Sequence, residues 1–428
     1  MWKKMVLIAI LQFLQVAWGA TQVTQYGITW TFDGDYNVGQ FVNGDYWVVG
    51  PVTITEVSPA WDGEKHGSMV DPVPLSPQGY DSRLDMTFSE ANRVSFPVTL
   101  SGIRSLISVK SLPEVRPGGA HEGLETASVL TVVSEPPPAG SFRPPYVSGE
   151  KPTYNVSQID YSQLPLLPVP PVTLPNFSTM MKRVWLDHGP KVSGATIHPK
   201  DNMPPYPRDS SEQVQEMALL VMLDIQEREE LVIRLIQLGI DLYSISLENG
   251  DAWRAYGGFG SGRKWPIIFA GMMLDDPDMQ RPPETIAPDT DISKFGEDGH
   301  TYYGQPTTTY PDGKPLWGQD CVAGGYGFGP YWVNHDCRDP NGILEAEDME
   351  NGGAYRLCCT SHTWVGQALA ARIMRGANLW GWPPFFQYVE RWINETGNYG
   401  GPFVEYMWTT YAILYTIASG VEGWNYYD

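Results

Sequence analysis

The sequence predicts a mostly α protein with a β part, an (α/α) toroid preceded by an N-terminal antiparallel β-sheet domain. Three observations carry that expectation. Tyr26, Ile28, Trp30 and Phe32 alternate with Gln25, Gly27, Thr29 and Thr31, a period of two that marks a half-buried strand. Residues 230–247 are apolar on nearly all sides, as in a helix packed over most of its surface. Helical signals recur after residue 210, and antiparallel helix pairs with an all-apolar member point to concentric packing.

Residues 1–20 read as a signal peptide. Lys3 and Lys4 precede an apolar run over 5–14, and Ala17 and Gly19 stand correctly for cleavage after Gly19, with Ala20 the neighbouring choice. The run is too short to span a bilayer, which takes about 20 apolar residues, and no later stretch approaches that length. Secretion or a periplasmic location is the expectation, with no membrane span.

Residues 21–134 form the predicted β-rich domain, with further short apolar runs at 46–49, 52–57, 94–100, 103–109 and 128–133. Asp33-Gly34-Asp35 and Asn43-Gly44-Asp45 read as turns between the first of them. Over 135–178 prolines accumulate, from Pro136-Pro137-Pro138 to Pro170-Pro171. Proline removes amide donors and blocks helix, so this is an extended strap or linker with enough Leu, Val and Tyr to lie on a surface. Residues 179–428 form the helical domain. Ser210 and Gln213 make a capping box ahead of Val214, Met217, Ala218, Val221 and Ile225. Further helices are expected at 265–274, 360–374, 384–393 and 403–418. Between them lies 275–355, a long aromatic, Gly- and Pro-rich stretch without periodicity; loops of that length inside a compact domain usually carry function.

Composition narrows the function classes. The 428 residues hold 28 Lys+Arg against 49 Asp+Glu, a net charge of −21, so a nucleic-acid binder with its basic stripe is excluded. A hydrophobic fraction of 42% excludes disorder and fills the cores of two or three domains. Sixteen Trp and 23 Tyr with only 18% charged residues lean towards carbohydrate, whose faces stack on rings, although large aromatic cores give the same count. In an oxidising compartment Cys321, Cys337, Cys358 and Cys359 allow three disulfide connectivities, and the adjacent Cys358-Cys359 fits no common zinc pattern. No metal or cofactor is expected.

Several strings resemble one family. These are Gly79-Tyr80-Asp81-Ser82-Arg83, Phe142-Arg143-Pro144-Pro145-Tyr146, Trp185-Leu186-Asp187-His188, and His198-Pro199 with Asn202-Met203-Pro204. Gly257-Gly258-Phe259-Gly260-Ser261-Gly262-Arg263-Lys264-Trp265-Pro266 and Tyr355-Arg356-Leu357-Cys358-Cys359-Thr360 complete the set. Together they are similar to exported bacterial alginate and glucuronan lyases with an (α/α) toroid, the polysaccharide lyase family thirty-eight type. The similar strings are spread from about residue 40 to 395. One departure stands out: the family pattern carries Gly-Gly-His-Gly where this chain has Phe259. If that histidine neutralises a substrate carboxylate in the relatives, another group fills its role here or the role is absent.

The chemistry such a resemblance implies is β-elimination on a uronate-containing, anionic polysaccharide. A substrate carboxylate must be neutralised by Arg, Asn, His or a cation before the neighbouring carbon can lose its proton. A Tyr whose pKa a nearby cation lowers from about 10 suits both base and acid. Gly299-His300-Thr301-Tyr302-Tyr303 places His300, Tyr302 and Tyr303 together, and the resemblance favours Tyr303 as base; the competing reading packs both tyrosines on the helices. His335, next to Asp336, followed by Arg338 and beside Cys337, is a second candidate or serves near a disulfide. Arg263 and Lys264 follow a Gly-rich turn at a helix start, where an anion can sit, or are solvated charges of a helix connection. Asn202 and Arg208 can fork a carboxylate, beside His198 and Tyr206; Asn202 also suits a plain Pro-rich turn. Tyr80 and Arg83 reach over the toroid mouth, and Trp253 and Trp317 can stack sugars or simply be buried.

Two other readings fit the sequence. A glycoside hydrolase on the same scaffold needs two carboxylates about 5–10 Å apart, with Asp45, Asp81, Asp251, Glu297 and Asp298 as candidates. A non-catalytic carbohydrate-binding protein needs none. A Ser-His-Asp hydrolase is disfavoured because no G-x-S-x-G elbow occurs, and Asp289-Thr290-Asp291 fails the calcium-loop pattern at Lys294.

Overall fold

The computed structural model describes residues 17–84, 88–115, 123–189, 197–203, 206–248, 253, 257–283, 294–301 and 359–418. Eight strands form one curled sheet. They are β1 (Trp18–Gln25), β2 (Ile28–Gln40), β3 (Tyr46–Val49), β4 (Val52–Ser58), β5 (Ser68–Val70), β6 (Val98–Leu100), β7 (Arg104–Ser111) and β8 (Leu124–Val133). The order is β5-β7-β8-β3-β2-β4-β6, with β1 on β2. Every pair is antiparallel except β3 with β8, which runs parallel from Tyr46 opposite Leu130 to Val49 opposite Val133.

Local chemistry explains two departures from the expected strands. Tyr26 and Gly27 both have positive φ, 52° and 77°, and make the tight turn between β1 and β2, so the alternating run is interrupted there. Asp33-Gly34-Asp35 is no turn; it lies inside β2, where pairing with β1 jumps from Thr31 opposite Gln22 to Tyr36 opposite Ala20. The extra residues form a bulge that bends β2, and its two halves then pair with different strands, β4 on one side of the bend and β3 on the other. Trp18 and Gly19, which cleavage after Gly19 would remove, pair with Val38 and Asn37 in β1.

The curl encloses a first core of Val23, Ile28, Trp30, Val48, Ile54, Leu106, Leu130 and Val132. The opposite face of β7 and β8 is equally apolar: Ile107, Val109, Ala127 and Val129 belong to the same core as the helices. A sheet apolar on both faces must be covered on both.

The helices are α1 (Arg208–Leu220), α2 (Arg228–Ser246), α3 (Lys264–Leu274), α4 (Pro277–Gln280), α5 (Gly296–His300), α6 (Val365–Ile373), α7 (Ala377–Trp380), α8 (Pro383–Thr396) and α9 (Pro402–Ala418). α2 packs chiefly on α3, and α6 on α1 and α9. The expected (α/α) toroid behind a separate antiparallel sheet domain is therefore corrected. Helix and strand are mixed among the described residues, the sheet is a curled half-barrel, and the described helices show no clear toroid. The physical reason lies in the shared core. α2 is buried all round because α3 and the strap cover it. Arg228 donates to Leu164 O, Arg234 to Phe177 O and Met180 O, and Gln237 Nε2 to Arg143 O.

The strap is tied down over the helices: Asp160 N donates to Met273 O, Leu167 N to Met222 O and Tyr154 OH to Asp276. The capping box at Ser210 does not form either. α1 starts two residues earlier, at Arg208, after Pro207, and Ser210 Oγ donates instead to Asn202 O.

Candidate functional site

The first turns of α1 and α3 and the start of the 359–373 segment meet at one place. Gly262 (φ 90°) makes this possible, since a Cβ there would lie 2.8 Å from Ser211 Cα on α1. At Gly258 a Cβ would lie 2.6 Å from Cys359 O and 3.2 Å from the Tyr206 ring. The Gly-rich stretch is thus a joint that lets three backbones touch. Ser211 Oγ then receives Thr363 Oγ1 at 2.9 Å and Gln367 Nε2 at 3.1 Å.

Beneath this joint lies a buried polar hub centred on Asp187. His198 Nε2 is 2.9 Å from Asp187 Oδ1; Arg263 Nη2 donates to the same oxygen at 3.0 Å, and its Nε to Oδ2 at 3.2 Å. Burial opposes the charge of Asp187, but Arg263 and His198 hold its carboxyl well below the usual carboxylate range. His188, beside it, is fully buried against Tyr80 and Tyr146, each ring 5.6 Å away and edge-on, and burial pulls its pKa down to about 3. Tyr146 OH donates to Trp185 O at 2.9 Å. Five buried polar atoms of this hub have no partner among the described residues: Tyr80 OH, Trp185 Nε1, His188 Nε2, His198 Nδ1 and Asn202 Oδ1. Such groups are costly in a merely structural core, at about 1–3 kcal/mol each.

A second buried group adjoins the start of α3. Lys264 Nζ pairs with Asp298, whose other oxygen receives Trp380 Nε1 at 2.7 Å. Glu297 accepts from Lys264 N at 3.2 Å through Oε1, while Oε2 is buried without a partner among the described residues. Burial pushes the Glu297 carboxyl up to about 7, so near neutrality about half of the molecules keep a proton that a carboxylate normally gives up.

The residues expected at the site fall into distinct places. Arg263 and Lys264 do not present charge to solvent; both are buried and neutralised by Asp187 and Asp298. Asn202 is fully buried, and its Nδ2 donates to Arg183 O and Val184 O, leaving only an acceptor oxygen, which does not bind a carboxylate. Arg208 keeps 28% of its side chain exposed beside Tyr206, although it also reaches Asp209. Tyr80 is buried in the hub, and Arg83 forks onto Asp81 and the carbonyls of Leu112 and Pro113. Trp253 is buried and stacked on Phe295 at 5.8 Å. Phe259 packs edge-on against Tyr206 at 5.9 Å. Tyr302, Tyr303, His335, Trp317, Asp251, Cys321, Cys337 and Cys358 lie outside the described residues, as does the side chain of His300, whose backbone ends α5.

Asp187 and Glu297 are the residues whose weight the sequence did not reveal. In sequence Asp187 is one residue of the Trp185-Leu186-Asp187-His188 string, and Glu297 is one of several carboxylates. The adjacent Asp187-His188 and Glu297-Asp298 pairs were the available signals, and they do not encode burial.

In comparison with known proteins, the chain matches no family model, no curated protein and no solved structure. Among the described residues no helix is long and apolar enough to cross a membrane, and no cluster of three or more His, Cys, Asp or Glu is placed to hold a metal ion.

Proposed function

We propose that the protein is an exported polysaccharide lyase that cleaves a uronate-containing polysaccharide, alginate- or glucuronan-like, by β-elimination. One observation carries the reading: strings scattered over nearly 300 residues of sequence, which together resemble that enzyme class, touch one another in space. Tyr80 and Tyr146 flank His188, His198 and Arg263 hold Asp187, and Gly258 abuts Cys359. A set of motifs that folds into one polar cluster, several of its buried atoms unpartnered, is the pattern of a built site.

In this reading Arg208 neutralises the substrate carboxylate at the surface of the site. Glu297, holding a proton, supplies a hydrogen bond that a charged carboxylate would not. Tyr303, three residues after His300 in the sequence, takes the proton and returns it to the leaving oxygen. The Asp187 hub positions the joint from which Arg208 projects. A hydrolase is less well supported because Asp45, Asp81 and Asp298 are each committed to a cation, Arg143, Arg83 and Lys264.

Incubation with alginate, glucuronan and related uronans should raise ultraviolet absorbance, because elimination leaves an unsaturated end. Tyr303→Phe should lower turnover at least about 100-fold with little change in thermal midpoint. Reducing ends without absorbance would identify a hydrolase, and neither signal a binding protein; either result overturns the lyase reading.

A further inference from the structure

A narrow cleft that the lyase reading does not use lies against α2, with a volume of about 30 Å3. One wall is a single face of α2, where Arg234, Gln237, Leu238 and Asp241 follow the i, i+3, i+4, i+7 spacing. The other is the run from Lys182 to Trp185, with Arg143 and Asp45 between. Four cations thus line a space with two carboxylates, in a chain of net charge −21.

The cations are not equivalent. Arg143 is fully engaged by Asp45, Asp241 and Pro144 O, and Arg234 by Glu230 and the carbonyls of Phe177 and Met180. Arg183 is not. Its Nε donates to Thr126 Oγ1 at 3.0 Å and its Nη2 stands 3.8 Å from Asp201, too far for a hydrogen bond. Its Nη1 is buried and has no partner among the described residues. The guanidinium lies 3.5 Å over the Tyr26 ring, and Tyr26 OH donates to Lys182 O, so the fork is held in place. A guanidinium held in place, with a desolvated N–H that no described residue accepts from, suits an oxyanion. Lys182, with 41% of its side chain exposed and its Nζ 4.0 Å from Glu230, stands at the rim.

We propose that this cleft is an oxyanion site, binding one carboxylate or sulfate group of a ligand through Arg183, with Lys182 at its edge. The proposal rests on the cleft alone and not on β-elimination. Equilibrium dialysis of the full chain at low ionic strength against radiolabelled sulfate, D-glucuronate and D-glucose tests it. Sulfate or D-glucuronate should bind at one site per chain, and D-glucose should not. Binding of both anions marks a general oxyanion site, and binding of D-glucuronate alone marks a sugar carboxylate. Arg183→Met should weaken binding about tenfold or more, and the exposed Lys182→Gln a few-fold. Should Arg183→Met lose its native circular dichroism, Lys182→Gln supplies the test. No anion binding, or wild-type affinity in the folded variants, overturns the proposal. Because none of these probes is cleaved, the outcome is separate from that of the lyase assay.

Discussion

Glu297 shows how a residue's surroundings set its chemistry. Its carboxyl titrates near 7 where an ordinary glutamate titrates at 4.5, because burial outweighs the help of the Lys264 amide. Below about pH 4.5 folded and unfolded chains both carry this proton. Between 4.5 and 7 the unfolded chain releases it first, so folding stability falls as pH rises through that window and levels off above it. The loss is at most about 3 kcal/mol. Glu297→Gln removes this dependence, so urea unfolding at pH 4.5 and 7.5 should show a smaller drop in the variant than in the wild type. An equal drop would show that Glu297 titrates normally. Asp187 is the opposite case: equally buried, it keeps its charge because Arg263 and His198 contact it directly.

Between elements, the tightest dependence is that of α2 on α3. Gly239 faces α3 so closely that an added Cβ would meet Pro266 O and lie 2.5 Å from Ala270 Cβ. A backbone carbonyl cannot rotate away as a side chain can. Gly239→Ala should therefore destabilise the protein by about 1–3 kcal/mol, although alanine is the better helix former by about 1 kcal/mol. The measurement is the shift in urea midpoint; a stabilised variant would mean that the two helices separate without cost. The same closeness explains how Arg263 and Lys264, at the start of α3, come to face inward.

At the scale of the whole molecule, one face of the sheet shares a core with the helices. Met69, Ile107, Val109 and Val129 of the sheet pack in the cluster that also holds α1, α2, α3 and α6. Arg143 reinforces the junction, bonding Asp45 beside β3 and Asp241 on α2. Guanidinium unfolding followed by tryptophan fluorescence and by far-ultraviolet circular dichroism should give coincident transitions. Arg143→Gln leaves two buried carboxylates without their cation, so both transitions should move together to lower denaturant, by about 3–5 kcal/mol. Transitions that separate would restore the picture of an independent sheet domain.

The sequence alone determined the local elements: strands where apolar residues alternate, helices after residue 210, a proline strap that cannot be either. It also singled out strings such as Trp185-Leu186-Asp187-His188 and Gly257–Pro266 as more than packing. Tertiary structure decided how these combine. The alternation around Trp30 is the same whether a sheet stands alone or covers helices, and an all-apolar α2 is the same whether a ring of helices or a strap surrounds it. Burial and pairing are likewise properties of residues far apart in the chain. Arg263 looks like an anion-binding arginine until Asp187, 76 positions away, occupies it, and Arg183 looks ordinary until Tyr26 fixes it with one donor unmet. Short-range pattern sets secondary structure because it depends on neighbours in sequence; charge balance and desolvation depend on neighbours in space, which only the fold brings together.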